Sequence, residues 1–148
     1  MSTNLSVIDS AAVSSTFPET FRSPLHVFDF AAAAARGAVV IDIRTQTQRD
    51  REGTLPGAWA IAPDVVEERL DPASGMHLAR ANDRSTEWVL VCSDGDQARR
   101  AAAILARQEV RRVRALIGGY QAIKAEGLTG AVIGAAHSVR ELATVAAH

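Results

Sequence analysis

The feature that most restricts the fold is a stretch in which an apolar run, a polar turn and an alanine-rich segment follow one another. The Val-rich run Trp88–Val91 predicts a buried strand, because apolar residues follow one another without alternation. The alanine-rich residues 98–107 predict a helix with one apolar face. A buried strand that leads into a helix is the beginning of a βα unit, which favours a parallel sheet.

The only cysteine of the chain, Cys92, lies where this strand ends and the polar turn begins. Open α/β sheets form their sites at the carboxyl ends of parallel strands. The free amide groups at the start of the following helix favour a negative charge at that place. Because the thiolate is the reactive form of cysteine, we interpret Cys92 as a candidate nucleophile. The alternative is that Cys92 is a small apolar side chain of the core.

Length and composition restrict the class of protein. A chain of 148 residues, 47% apolar and 22% charged, predicts one globular domain with a sizeable core. A net charge of -1 gives no indication of nucleic-acid or membrane partners. A single cysteine excludes an intramolecular disulfide and a cysteine-based zinc site, and the four histidines show no ligand spacing, so no metal is predicted. The free thiol, with no secretory signal and no bilayer-spanning run, predicts a cytoplasmic protein.

Predicted strands and helices alternate along the chain. Residues 38–44 form a β-branched run that is typical of a strand covered on both faces. Further segments are predicted as strands at 59–61 and 112–117, as helices at 25–36, 65–70 and 120–126, and as a short helix or turn at 45–52. The alternation predicts an α/β sandwich with a parallel sheet.

We expect the two ends of the chain to lie outside this unit. Residues 1–22 are predicted to be a flexible arm, and residues 23–128 to be the domain. Residues 129–148 are predicted to form a helical tail, because Val132, Ala136 and Val139 recur at helical spacing. The tail is expected to lie on the domain or on a partner subunit, so a monomer and a homodimer both stay open.

Four motifs of the chain resemble, in order, those of the single-domain rhodaneses, which are sulfurtransferases. The motifs are VIDIR at 40–44, EGTLPGA at 52–58, VLVC at 89–92 with its glycine turn, and LIGGYQAIKAEG at 116–127. The similarity covers residues 23–128. The stretches 48–53 and 69–74 are most similar to a branch of the family that is common in actinobacteria.

The resemblance implies a three-layer α/β/α sandwich around a five-stranded parallel sheet. It also implies that Cys92 is catalytic and begins an active loop, which continues through Ser93, Asp94, Gly95, Asp96 and Gln97. In this family the cysteine takes a sulfane sulfur from a small donor and becomes a persulfide. It then passes the sulfur to a thiol or cyanide-like acceptor, and no cofactor is needed.

The loop departs from the usual family pattern, in which an arginine stands at the second or sixth position. Ser93 and Gln97 occupy these positions here, and two aspartates, Asp94 and Asp96, lie in the loop. Carboxylates oppose formation of a thiolate and repel a dianionic donor, so thiosulfate is expected to be a poor donor. Asp96 has an alternative role as the cap of the following helix.

Two arginines are candidates for the rim of the loop. Arg44 ends a predicted strand at the same edge of the sheet, and Arg99 lies in the first turn of the helix after the loop. The alternative for Arg44 is an ion pair with Asp42 that serves the scaffold. The alternative for Arg99 is a solvated helix face.

Two other functions stay open. A cysteine phosphatase or arsenate reductase requires an arginine six residues after the cysteine to bind the oxyanion, and Ala98 stands there instead. A non-catalytic module would use the loop to recognise a partner, or would use the thiol only to report oxidation.

Overall fold

The computed structural model describes residues 23–110 and 112–136. The predicted arm at 1–22 and residues 137–148 of the predicted tail therefore lie outside the described residues. Within the described residues, no helix is both long enough and apolar enough to cross a membrane.

The described residues form one parallel sheet of four strands in the order β2-β1-β3-β4. The strands are β1 (Val39–Asp42), β2 (Trp59–Ala60), β3 (Trp88–Val91) and β4 (Val113–Ala115). Every residue of the two central strands, β1 and β3, is buried. Burial on both faces explains why these strands have uninterrupted apolar sequences.

Helices cover the sheet and connect its strands. They are α1 (Phe30–Ala35), α2 (Gln46–Glu52), α3 (Val66–Leu70), α4 (Asp96–Arg107) and α5 (Gly119–Ala125). A 3-10 turn, Ala79–Asn82, lies between α3 and β3, and residues 131–136 are also helical. Thr45 precedes helix α2 as its N-cap, and its side chain and that of Gln48 form a capping box.

Alternate residues of the strands contribute to two apolar clusters. Ile41 and Leu90 pack with Leu105 of α4 on one face of the sheet. Val40 and Val89, their neighbours in sequence, pack on the other face with residues that include Ile123 of α5. Helices therefore lie on both faces, which confirms the predicted three-layer α/β/α sandwich.

The described residues contain four strands, not the five that the resemblance implies. Leu25 alone occupies the fifth position, through a parallel bridge to Leu116. Its amide donates to the carbonyl of Ala115 at 2.8 Å, and its carbonyl accepts from the amide of Ile117 at 2.9 Å. The prediction of a helix from residue 25 was therefore wrong, because the backbone of Leu25 is used by the sheet.

The chain continues to pack on the domain beyond the predicted boundary at residue 128. Val132 is buried in the cluster that contains Val40, and Leu128 and Ala131 pack against it. A Cβ atom at Gly57 would lie 3.0 Å from Val132 Cγ1. The helical residues 131–136 therefore lie directly against the segment that precedes β2.

Candidate active site

Cys92 lies immediately after β3, and its sulfur faces into the loop that leads to α4. Cys92 Sγ accepts hydrogen bonds from the amides of Gly95 at 3.1 Å and Ala98 at 3.3 Å. The side chain is only 3% exposed. Backbone amides that converge in this way stabilise an anion at the centre of a loop. The geometry therefore suits a thiolate or a persulfide.

Gly95 gives the loop its tight curvature and precedes the first residue of α4. Its φ of 101° is in the left-handed region. A Cβ atom there would lie 2.9 Å from the amide nitrogen of Gly118 and 3.1 Å from the carbonyl oxygen of Leu116. The loop thus lies against the turn that begins α5, and both elements need glycine at this contact.

The start of α5 fixes the backbone of the loop. The amide of Tyr120 donates to the carbonyl of Cys92 at 2.7 Å, and that of Gln121 donates to the carbonyl of Ser93 at 3.1 Å. A Cβ atom at Gly119, whose φ is 58°, would collide with the carbonyl oxygen of Cys92. The position of the cysteine therefore depends on a helix that lies later in the chain.

The two aspartates of the loop have different roles. Asp94 Oδ1 lies 4.0 Å from Cys92 Sγ and accepts the amide of Asp96 at 3.0 Å. Asp96 forms an exposed ion pair with Arg99 at 3.1 Å. The alternative role of Asp96 as the cap of α4 is not what the structure shows: Gly95 occupies the cap position, and Asp96 is the first residue of the helix.

Arg44 is fully buried, which corrects the expectation of a rim position. Its Nε and Nη2 atoms donate to the two carboxylate oxygens of Asp42 at 3.0 and 2.8 Å. Its Nη1 atom lies 3.4 Å from Glu52 Oε1, and its guanidinium stacks on the ring of Tyr120. The ion pair considered as the alternative is thus present, and it lies in the protein interior.

The pKa of Arg44 is raised above its ordinary value. Burial acts to lower this pKa, because it penalises the charged form, but the hydrogen bonds and charges of Asp42 and Glu52 outweigh burial. Arg44 therefore remains a cation, and its single positive charge neutralises the charge of one of its two carboxylate partners.

Glu52 is a site residue that the sequence patterns did not indicate. Both carboxylate oxygens of Glu52, which ends α2, accept from Ser93 Oγ at 2.9 Å. The sequence feature that could have indicated Glu52 is its position as the first residue of the EGTLPGA motif. The structure thus brings Ser93 into contact with a residue 41 positions earlier in the chain.

The remaining predicted residues lie on the outside of the loop. Gln97 is exposed, and so is Arg99. Arg99 lines a cleft of about 240 Å³ beside the loop, together with Asp94, Asp96 and Ile117. In the part of the chain that the structure describes, no group of three His, Cys, Asp or Glu residues is placed to hold a metal ion.

Many solved structures share this fold, and they include the following three proteins. A Rhodopseudomonas palustris protein, described as of unknown function and a possible tyrosine phosphatase, is 24% identical with a TM-score of 0.64, over 71% of this chain and 81% of its own. A rhodanese-related protein of Thermoplasma volcanium is 17% identical, with a TM-score of 0.54; the match covers 71% of this chain and 93% of that protein. The rhodanese-like domain of an Anabaena protein is 19% identical, with a TM-score of 0.55; the match covers 70% of this chain and 74% of that domain.

Sequence comparison identifies the family. No curated protein is significantly similar to the chain in sequence. The family model for the rhodanese-like domain matches residues 29–126, a range that includes all four strands, the cysteine loop and α5. The chain therefore belongs to the rhodanese-like domain family.

Proposed function

We propose that this protein is a sulfurtransferase that carries sulfane sulfur on Cys92. The observation that supports this most directly is the pair of amides, from Gly95 and Ala98, that donate to Cys92 Sγ. They favour negative charge on the sulfur, and the thiolate is the form of cysteine that attacks. The family membership of the chain supports the same chemistry.

The reaction takes place in two displacements. In the first, the thiolate of Cys92 attacks the sulfane sulfur of the donor, a sulfur–sulfur bond forms, and the rest of the donor leaves with the electron pair of the broken bond. In the second, an acceptor thiolate or cyanide attacks the outer sulfur of the persulfide. The bond to Cys92 then breaks, and the cysteine thiolate is restored.

The charge of the loop disfavours dianionic donors. Asp94 Oδ1 lies 4.0 Å from Cys92 Sγ, where it repels both a thiolate and an approaching dianion. We therefore propose that the donor is a persulfide carried on a thiol and that thiosulfate is used poorly. A free thiol with this role requires a reducing compartment, so we also propose a cytoplasmic location.

Phosphatase chemistry has less support in this chain. The description of the Rhodopseudomonas palustris protein as a possible tyrosine phosphatase applies to that protein. Here the sixth residue after the cysteine is Ala98, which is buried and carries no charge. Arg99, the next residue, is exposed and pairs with Asp96. No arginine therefore stands where an oxyanion would be bound.

Intact-mass measurement tests the proposal directly. The protein would be incubated with thiosulfate, mercaptopyruvate or a small thiol persulfide, and Cys92→Ser would be the control. We expect wild type, and not the variant, to gain one sulfur atom that dithiothreitol removes. If no donor adds sulfur to wild type, the protein is a non-catalytic binding or redox-sensing module instead.

A further inference from the structure

The hydroxyl group of Ser93 is bound by the carboxylate of Glu52. A serine hydroxyl has one proton to donate, and Ser93 Oγ donates it to Glu52, at 2.9 Å from each carboxylate oxygen. The carboxylate that receives it is only 19% exposed. A hydrogen bond to a charged group in a partly buried place is stronger than one between neutral groups. The contact therefore fixes the side chain that follows Cys92.

Glu52 in turn forms an ion pair with the buried side chain of Arg44. The 3.4 Å contact between Arg44 Nη1 and Glu52 Oε1 is possible because Asp42 binds the other side of the guanidinium with two hydrogen bonds. Arg44 is fully buried and cannot turn away without leaving the buried carboxylate of Asp42 uncompensated. A continuous set of charged contacts thus connects the end of β1 to the cysteine loop.

Backbone hydrogen bonds also hold Ser93, in addition to the contact of its side chain with Glu52. The carbonyl of Ser93 accepts from Gln121, and the carbonyl of Cys92 accepts from Tyr120. The hydroxyl contact with Glu52 adds a third restraint, through the side chain, on the residue that follows Cys92. Together these contacts hold the residue between Cys92 and the amides of Gly95 and Ala98 that donate to its sulfur.

We propose that Glu52 is a positioning residue for the cysteine loop and acts through Ser93. It keeps the loop in the form in which the amides of Gly95 and Ala98 donate to Cys92 Sγ. The inference rests on the proposed function only in taking Cys92 as the reacting group.

A double-mutant cycle on the reactivity of Cys92 tests this proposal. Because Cys92 is the only thiol, its alkylation by iodoacetamide reports on one site. The variants are Glu52→Gln, Ser93→Ala and the double substitution, with Glu126→Gln, an exposed carboxylate at the end of α5, as the control. We expect Ser93→Ala to lower the alkylation rate roughly fivefold, Glu52→Gln to lower it less because glutamine keeps a weaker, uncharged acceptor, and the double variant to lower it no further than Ser93→Ala.

Two further measurements separate positioning from other effects. Ser93→Thr keeps the hydroxyl, so it should retain most of the wild-type rate. Iodoacetate, an anionic reagent of similar size, should be slowed by Glu52→Gln as iodoacetamide is. The proposal is overturned if the two single effects add in the double variant. It is also overturned if Glu52→Gln accelerates iodoacetate and leaves iodoacetamide unchanged, because Glu52 would then act only through its charge.

The alkylation cycle is independent of sulfur transfer. If Cys92 never gains a sulfur atom but the two substitutions are non-additive, the positioning role holds and the proposed activity fails. If sulfur transfer occurs and both variants react at the wild-type rate, the activity holds and Glu52 has no positioning role. Thermal unfolding of each variant identifies any that fail to fold; if Glu52→Gln does, Ser93→Ala, which removes only the hydroxyl group, carries the comparison with wild type.

Discussion

The guanidinium carbon of Arg44 lies 3.8 Å from the centre of the Tyr120 ring, beneath the cysteine loop. A cation over an aromatic face gains energy from the negative face of the ring, and more when both groups are removed from water. Tyr120 also donates its amide to the carbonyl of Cys92. The contact therefore joins the buried ion pair to the backbone of the site.

We predict that Arg44→Met strongly destabilises the protein. The substitution leaves Asp42 buried without a cation, which costs about 3–5 kcal/mol. Urea unfolding measures the loss as a lower midpoint. The double variant with Asp42→Asn should recover part of it, because no buried charge then remains unpaired. A loss below about 1 kcal/mol in the single variant would contradict a structural role for the ion pair.

We predict that replacing both loop aspartates by asparagine increases the use of thiosulfate. Asparagine at position 94 retains an oxygen for the amide of Asp96, so the loop geometry is kept while the charge near Cys92 Sγ is removed. We expect kcat/KM for thiosulfate to rise roughly threefold or more at low salt and less at high salt. The matched control is Asp64→Asn, an exposed aspartate outside the loop. An equal rise for an uncharged donor would show that charge is not the cause.

We predict that Gly119→Ala perturbs the site more than Gly127→Ala. Both glycines have positive φ, at 58° and 68°, so both substitutions carry the cost of left-handed backbone, about 1–2 kcal/mol. Only at Gly119 would the new Cβ meet the carbonyl of Cys92, whereas nothing lies within 4 Å at Gly127. Gly119→Ala should therefore also slow alkylation of Cys92. Equal alkylation rates in the two folded variants would show that this contact does not control the reactivity of Cys92.

We predict that a chain that ends after Leu128 keeps the reactive cysteine but melts at a lower temperature. The cut removes Val132, which is buried in the core, and we expect a loss of about 2–4 kcal/mol. Val132→Ala should reproduce part of the loss without changing chain length. A change from dimer to monomer in sedimentation would identify the tail as a subunit contact. Outright unfolding would place the domain boundary later than residue 128.

Local patterns predicted the centre of the fold and the position of the cysteine. The central strands β1 and β3 are β-branched or apolar at almost every position, because both faces of the sheet are covered. Because the apolar run of β3 ends just before Cys92, the sequence also predicted that Cys92 lies between a strand and a helix. What local patterns do not contain is which distant residue completes a contact.

Several differences between the predictions and the structure concern such contacts. Leu25 is apolar and precedes an alanine-rich helix, but its backbone pairs with residues 115–117. Glu52 and Ser93 are 41 positions apart, so no periodicity links them. Arg44 follows a strand as a rim residue would, yet two carboxylates and Tyr120 surround it in the interior.

The bridge between Leu25 and Leu116 has a consequence for the order of events during synthesis. The two residues lie near opposite ends of the domain, so Leu25 cannot dock before the ribosome has released β4. Until then, the apolar residue near the start of the domain has no strand to pair with. A nascent chain that stalls before residue 117 would present unpaired polar backbone along β3, a surface that other chains can extend.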